Sequence, residues 1–181
     1  KDGAPAVISA LKKYGIKTIM LSGDRQETAN YIAAQAGIDE AIAEVTPLEK
    51  ASKIEALKEN GKIVTMVGDG VNDAVALAAS DIGIAMSTGS DVAIESADIT
   101  VLSGDLDKII KALIISRLTM RKIKQNLFWA FFYNLIAIPI AAGALYPAFG
   151  ILLSPIIADG AMSLSSLSII FNTLLMRKAK I

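Results

Sequence analysis

The chain has 181 residues, with Lys+Arg and Asp+Glu both at 18, so its charge balance points to no nucleic-acid partner. It contains no cysteine and no histidine, which excludes disulfides, the usual zinc sites and histidine-based catalysis. The mean hydropathy of +0.51 is high and unevenly spread: residues 127–181 carry one acid, Asp159, and three bases, Arg177, Lys178 and Lys180. The composition therefore divides the chain into a soluble part and a membrane part. No signal peptide is visible, and a start at Lys1 without an initiator Met reads as that of a fragment.

Ala4 to Tyr14 reads as an amphipathic helix, with Pro5 in its first turn, Val7, Ile8 and Leu11 inward and Gly15 as its stop. Residues 17–22 read as a strand that ends in Ser22-Gly23-Asp24, followed by a helix from Gln26 to Ala36 and a short strand from Ala41 to Val45. Thr46-Pro47-Leu48-Glu49 marks a helix start, with Thr46 as N-cap, Pro47 at the first position and Glu49 completing a capping box. That helix runs to about Asn60-Gly61. Lys50 lies in its first turn, where a cation is disfavoured unless it faces solvent or reaches for an anion.

Residues 62–67, Lys-Ile-Val-Thr-Met-Val, have the make-up of a buried strand. The strand stops at Gly68-Asp69-Gly70, and Ala74, Val75, Leu77 and Ala78 begin a helical pattern. Two glycines and two carboxylates thus sit on a strand-to-helix turn, where parallel sheets bind ligands. Asp69 and Asp73 beside an anion suit Mg²⁺, which takes one or two carboxylates together with phosphate oxygens. A strand from Asp81 to Ala85, a helix from Gly89 to Ala97 and a strand from Ile99 to Leu102 complete the pattern. The alternation predicts βαβ units in a parallel sheet. Right-handed crossovers then make the turns at Ser22-Gly23-Asp24 and Gly68–Asp73 neighbours.

Leu106, Ile109, Ile110, Leu113 and Ile114 form the apolar stripe of a connecting helix, which runs into the bases Arg117, Arg121, Lys122 and Lys124. Leu127 to Tyr146 is uncharged over the length of a bilayer span, residues 147–150 make a turn, and Ile151 to Met176 is a second span with only Asp159 charged. Bases on both outer flanks place both ends, and the soluble part, in the cytoplasm. Tyr133 and Asn134 in the first span and Met162 and Ser166 in the second lie at similar depth. Such groups mark an ion path, and a thioether suits a soft ion such as Cu(I). Helix packing explains Ser163 and Ser168.

Together these stretches resemble the C-terminal part of a P-type ATPase of the heavy-metal branch, most like the copper(I)-transporting ATPases. The motifs are Ser22-Gly23-Asp24, Thr46-Pro47-Leu48-Glu49-Lys50, Gly68-Asp69-Gly70-Val71-Asn72-Asp73, Tyr133-Asn134 and Met162 with Ser165-Ser166. The resemblance implies a partial phosphorylation domain of the haloacid-dehalogenase-like fold over 1–104, a connecting helix over 105–126, and spans at 127–146 and 151–176 joined by an extracytoplasmic turn at 147–150. A cytoplasmic tail follows at 177–181. ATP would phosphorylate an aspartate, and hydrolysis of that aspartyl phosphate would drive Cu(I) export. Asp69 would ligate Mg²⁺ with Asp73, supported by Asn72, and Lys50 would contact the phosphoryl group. Ser22 and Gly23 would hold phosphate oxygens, with Asp24 anchoring their loop. Tyr133, Asn134, Met162 and Ser166 would be ion ligands. The partners implied are the N-terminal remainder of the transporter, the lipid bilayer of the cell membrane and a copper chaperone that delivers the ion.

The sequence departs from that family in several places. The nucleophilic aspartate of the Asp-Lys-Thr-Gly-Thr motif is absent, as are the nucleotide-binding and actuator domains and the Cys-Pro-Cys helix, so the fragment alone is expected to be inactive. Asp159 stands where a small residue is expected, and its depth puts it on an exit path. The rival readings are a zinc/cadmium-type pump, a membrane-anchored haloacid-dehalogenase-like phosphatase, or a non-catalytic subunit.

Overall fold

The computed structural model describes residues 3–86, 91–101, 105–150 and 155–178, with backbone alone at 155–159, 161–162 and 177–178. The chain separates into two units, residues 1–110 and 111–181.

In the first unit, α1 (Ala4–Lys13), β1 (Ile19–Leu21), α2 (Gln26–Ala36) and β2 (Glu40–Ile42) form one α/β layer. They are followed by α3 (Pro47–Glu59), β3 (Thr65–Gly68), a 3₁₀ turn at Val71–Asp73, α4 (Ala74–Ala79), β4 (Ile82–Met86), α5 (Asp91–Glu95) and β5 (Ile99–Val101). Every strand pairing is parallel, as the alternation predicts. The single sheet expected from the sequence is instead two sheets, β1–β2 and β3–β4–β5. Among the described residues no pairing joins β1 to β3, so the two glycine turns do not sit on adjacent strands. Gly89 and Leu102, at the ends of an expected helix and strand, lie outside the described residues.

Strands β1, β2 and β3 are also shorter than expected, and one side-chain device recurs at each pairing. An aspartate just ahead of the second strand of a pair captures backbone N–H of the first. Asp39 Oδ2 accepts from Thr18 N and from Thr18 Oγ1, both at 2.8 Å. Asp81 Oδ2 accepts from Val64 N, and Asp98 Oδ2 from Gly83 N, each at 2.8 Å. These side chains take donors that a longer ladder would use. The end of β2 is set differently: Glu44 turns left-handed at φ 56°, and Glu44 N and Val45 N donate back to Asp24 O and Ser22 O.

Two apolar clusters fill the larger sheet. Leu77, Ala85 and Ala93 pack with Met66, Ile94 and Ala97, and Ile84, Met86 and Val101 pack with Leu106 and Ile109. β4 is buried from Gly83 to Met86, whereas β3 alternates and leaves Val67 38% exposed.

The long helix α6 (Asp107–Ala141) starts in the first unit and is the longest element of the second. It ends short of the expected Tyr146, because Pro139 interrupts its ladder and Gly143 turns left-handed at φ 89°. The expected turn at 147–150 is largely a short helix, α7 (Tyr146–Phe149). After it come α8 (Pro155–Leu174) and a 3₁₀ turn, Leu175–Lys178. The uncharged part of α6, residues 127–141, is roughly 22 Å long at ~1.5 Å per residue, less than a hydrocarbon core of about 30 Å. No helix among the described residues is by itself long and apolar enough to cross a membrane.

Candidate functional site

The site is built where β3 gives way to α4. The capping box forms as the sequence predicts: Thr46 N donates to Glu49 Oε2 at 2.7 Å, and Glu49 N donates to Thr46 Oγ1 at 3.3 Å. Donation to that carboxylate from the Thr46 backbone first and from the Thr46 hydroxyl, at 2.8 Å, second holds the Glu49 carboxyl below its usual range. The cap fixes the first turn of α3 and, with it, Lys50.

Lys50 does not face solvent. Its Nζ donates to Asp73 Oδ1 at 2.8 Å, and the two side chains are only 15% and 14% exposed. Asp73 also accepts from Gly70 N, at 3.3 Å on Oδ2. One carboxylate therefore ties the first turn of α3 to the Gly68–Asp73 loop. Gly68 is required here for a local reason: a Cβ at Gly68 would stand 2.7 Å from Asp73 Cβ. Asp69 and Asn72 lie at the exposed rim of the same turn. No cluster of three or more acidic side chains able to hold a metal occurs among the described residues.

The Ser22-Gly23-Asp24 turn closes on itself. Ser22 Oγ donates to Asp24 Oδ2 at 2.8 Å and accepts from Asp24 N at 3.1 Å. The chain that follows β2 then caps it from above. Asp24 thus holds the shape of this loop.

In the second unit Asn134 Nδ2 donates to Ala130 O at 2.9 Å, a bond within α6. Tyr133, Asn134 and Ser166 are exposed. The Met162 and Asp159 side chains lie outside the described residues. One group went unnoticed in the sequence: Lys122, Asn126, Asn172 and Thr173 hydrogen-bond to one another between α6 and α8. Their partners lie about fifty residues apart, and no local spacing signals such a pairing.

A parallel α/β layer with a Gly-Asp-Gly turn at the end of a strand is the mark of a haloacid dehalogenase-like hydrolase, and residues 1–81 match the model of that family. Over 98% of its length the chain is 53% identical to a probable copper-transporting ATPase of Synechocystis, and over all of it 52% identical to a silver exporting P-type ATPase of Salmonella typhimurium. Among solved structures, a zinc-transporting PIB-type ATPase in the E2.Pi state superposes on 97% of the chain with a TM-score of 0.85 at 30% identity. The chain belongs to the heavy-metal P-type ATPases. It spans about a quarter of the length of these relatives, 24% and 22% of the two transporters and 28% of the structure.

Proposed function

We propose that the chain is the C-terminal portion of an ATP-driven exporter of a soft monovalent cation, Cu(I), in which the first unit handles the phosphoryl group and the second carries the ion. The Lys50–Asp73 ion pair carries the first half of this reading. A lysine in the first turn of a capped helix is disfavoured unless it faces solvent or meets an anion, and the largely buried Lys50 meets Asp73 at the mouth of the turn. From there Lys50 neutralises charge on a transferring phosphoryl oxygen, a preorganised group of the kind that accounts for much of catalysis.

The donor set of the turn fits Mg²⁺ bound together with a phosphate, with Asp69 and Asp73 as its carboxylates. Bound there, the ion would offset charge on the phosphate. Asn72 lines the same rim. Ser22 and Gly23 supply donors to phosphate oxygens once the Ser22 hydroxyl turns from Asp24, whose backbone keeps the loop in place. The nucleophilic aspartate comes from outside this sequence. The side of β3 that pairs with no strand among the described residues, with Val67 half-exposed beside Gly68, is where a strand bearing it fits.

The second unit is read as a membrane hairpin over residues 127–146 and 151–176, with residues 1–104, the connecting helix 105–126 and the tail 177–181 cytoplasmic. Leu127, Phe128, Phe131, Leu135 and Ile138 on α6 and Leu164, Leu167 and Phe171 on α8 all face outward, an arrangement that suits lipid. Tyr133, Asn134, Met162 and Ser166 are the ion ligands in this reading, and Asp159 lies on the exit path. The rest of the transporter, the bilayer and a copper chaperone are the partners.

ATP hydrolysis by the full-length protein in proteoliposomes provides the test. Cu(I) stimulates it in this reading, and the Asp69→Asn variant loses that stimulation. Stimulation by Zn²⁺ with none by Cu(I) overturns the choice of ion. Activity unchanged in Asp69→Asn overturns the assignment of the site.

A further inference from the structure

The polar chain between α6 and α8 has a fixed direction. Lys122 Nζ donates to Asn172 Oδ1 at 2.6 Å. A lysine ammonium only donates, so the oxygen of the Asn172 amide must face it. Its Nδ2 then faces α6 and donates to Asn126 Oδ1 at 2.7 Å. That leaves Asn126 Nδ2 to donate to Thr173 Oγ1 at 3.0 Å, and the Thr173 hydroxyl passes its own proton to Ile169 O at 2.8 Å. Each member uses the polarity that its neighbour dictates. Lys122 and Asn126 are one turn apart on α6, and Asn172 and Thr173 are consecutive near the end of α8, so the chain admits one register of these antiparallel helices. Lys122, Asn126 and Asn172 are half-buried, where an unpaired member would be costly.

Counting from this tie gives its consequence. Asn134 lies two turns beyond Asn126, roughly 12 Å at ~1.5 Å per residue. Ser166 and Ser165 lie back along α8 from Asn172 and Thr173 by roughly 9 to 12 Å on the same rise. Tyr133-Asn134 and Ser165-Ser166 therefore stand within one turn of the same depth. A slip of one turn would separate them by about 5.4 Å, enough to break any shared coordination.

We infer that the Lys122–Asn172–Asn126–Thr173 chain is a register clasp that positions the ion-binding residues of α6 against those of α8. This rests on the proposed reading of Asn134 and Ser166 as ion ligands. None of the four clasp residues touches the ion; they are positioning residues.

The test measures Cu(I)-stimulated ATP hydrolysis by the full-length protein in proteoliposomes, with buffered Cu(I) as the probe. Asn172→Ala and Lys122→Met are expected to raise KM for Cu(I) about tenfold, the size of a coupling between groups that do not touch the ligand. KM for ATP should stay unchanged, which also reports that the cytoplasmic unit is folded. Lys122→Arg keeps the charge and a donor and should restore KM for Cu(I) to within about twofold. Asn134→Ala and Ser166→Ala serve as controls for the underlying reading. If they raise KM for Cu(I) and both clasp variants leave it unchanged, the clasp is overturned. If the two controls also leave it unchanged, the ion-site reading fails and this inference fails with it. Equal loss of kcat in Lys122→Met and Lys122→Arg, with KM for Cu(I) unmoved, reduces the chain to a structural tie and overturns its positioning role.

Discussion

The two units of this chain put their apolar and polar groups in opposite places. In residues 1–110 the small and branched side chains of β4, α4 and α5 turn inward, and charged groups interlock across elements at the rim. Among the described residues of 111–181 large apolar side chains such as Phe131, Leu135 and Phe171 turn outward, and the polar groups Lys122, Asn126 and Asn172 turn toward one another. A core of the first kind is made by water. The proposed bilayer would supply the apolar surroundings that an arrangement of the second kind suits.

The largest expected effect tests whether the interlocked rim of the first unit is a site or mere scaffolding. Lys50→Ala removes a preorganised cation and leaves Asp73 half-buried without its partner. ATP turnover of the full-length protein should fall by about a hundredfold or more, with stability lowered by up to about 3 kcal/mol. Turnover within a few-fold of the parent would make the pair scaffolding. The next test sets the two surfaces against each other. Leu135 is 73% exposed on α6 and Tyr31 65% exposed on α2. Leu135→Lys should cost about 2.5 kcal/mol in insertion and shift the protein out of the membrane fraction. Tyr31→Lys should stay within about 0.5 kcal/mol of the parent. Equal tolerance of both changes would erase the contrast between the units.

Smaller effects probe the first unit alone. Thr46→Ala removes the cap that aims Lys50, and calorimetry should register a loss of about 1 kcal/mol. The smallest is a pH effect. Lys12 first and Thr18 second hold the Asp39 carboxyl well below the usual carboxylate range, and the Val64 N–H lowers that of Asp81. Both bind their protons less tightly folded than unfolded, so their contribution is complete above the ordinary carboxylate pKa of about 4 and fades as pH falls through the lowered values. Thermal unfolding followed from pH 5 downward, at roughly half-unit steps, should show a shallower decline in Asp39→Asn than in the parent. Parallel curves would remove Asp39 from the acid response.

Helix boundaries in the first unit were legible because their signals are local. Thr46, Pro47 and Glu49 announce α3, and Gly37 closes α2 in a left-handed turn. The Gly68–Asp73 turn was legible as a block for the same reason. Strand lengths were not, since the starts of β1 and β3 are set by Asp39 and Asp81, 21 and 17 residues from the backbone groups they capture. The partner of Lys50 was equally hidden: charge placement showed that it needed an anion, but only folding brings Asp73 to it. The division into two sheets was invisible because each βαβ pattern fixes its own neighbour and says nothing of the next pair. In α6 the helix-ending effect of Gly143 was masked by an uncharged run that continues past it.

The three strand-capturing aspartates have a consequence for how this part of the molecule can change. Each stands ahead of its strand, whereas the Gly68–Asp73 turn lies beyond the end of β3, so the larger sheet is fastened along one margin and the proposed site lies along the other. Each fastening joins only neighbours in the chain, spanning 21, 17 and 15 residues. The layer can therefore assemble by successive short closures, the kind that folds fastest. The opposite margin is left free to vary in loop length and side chain without loosening the frame beneath.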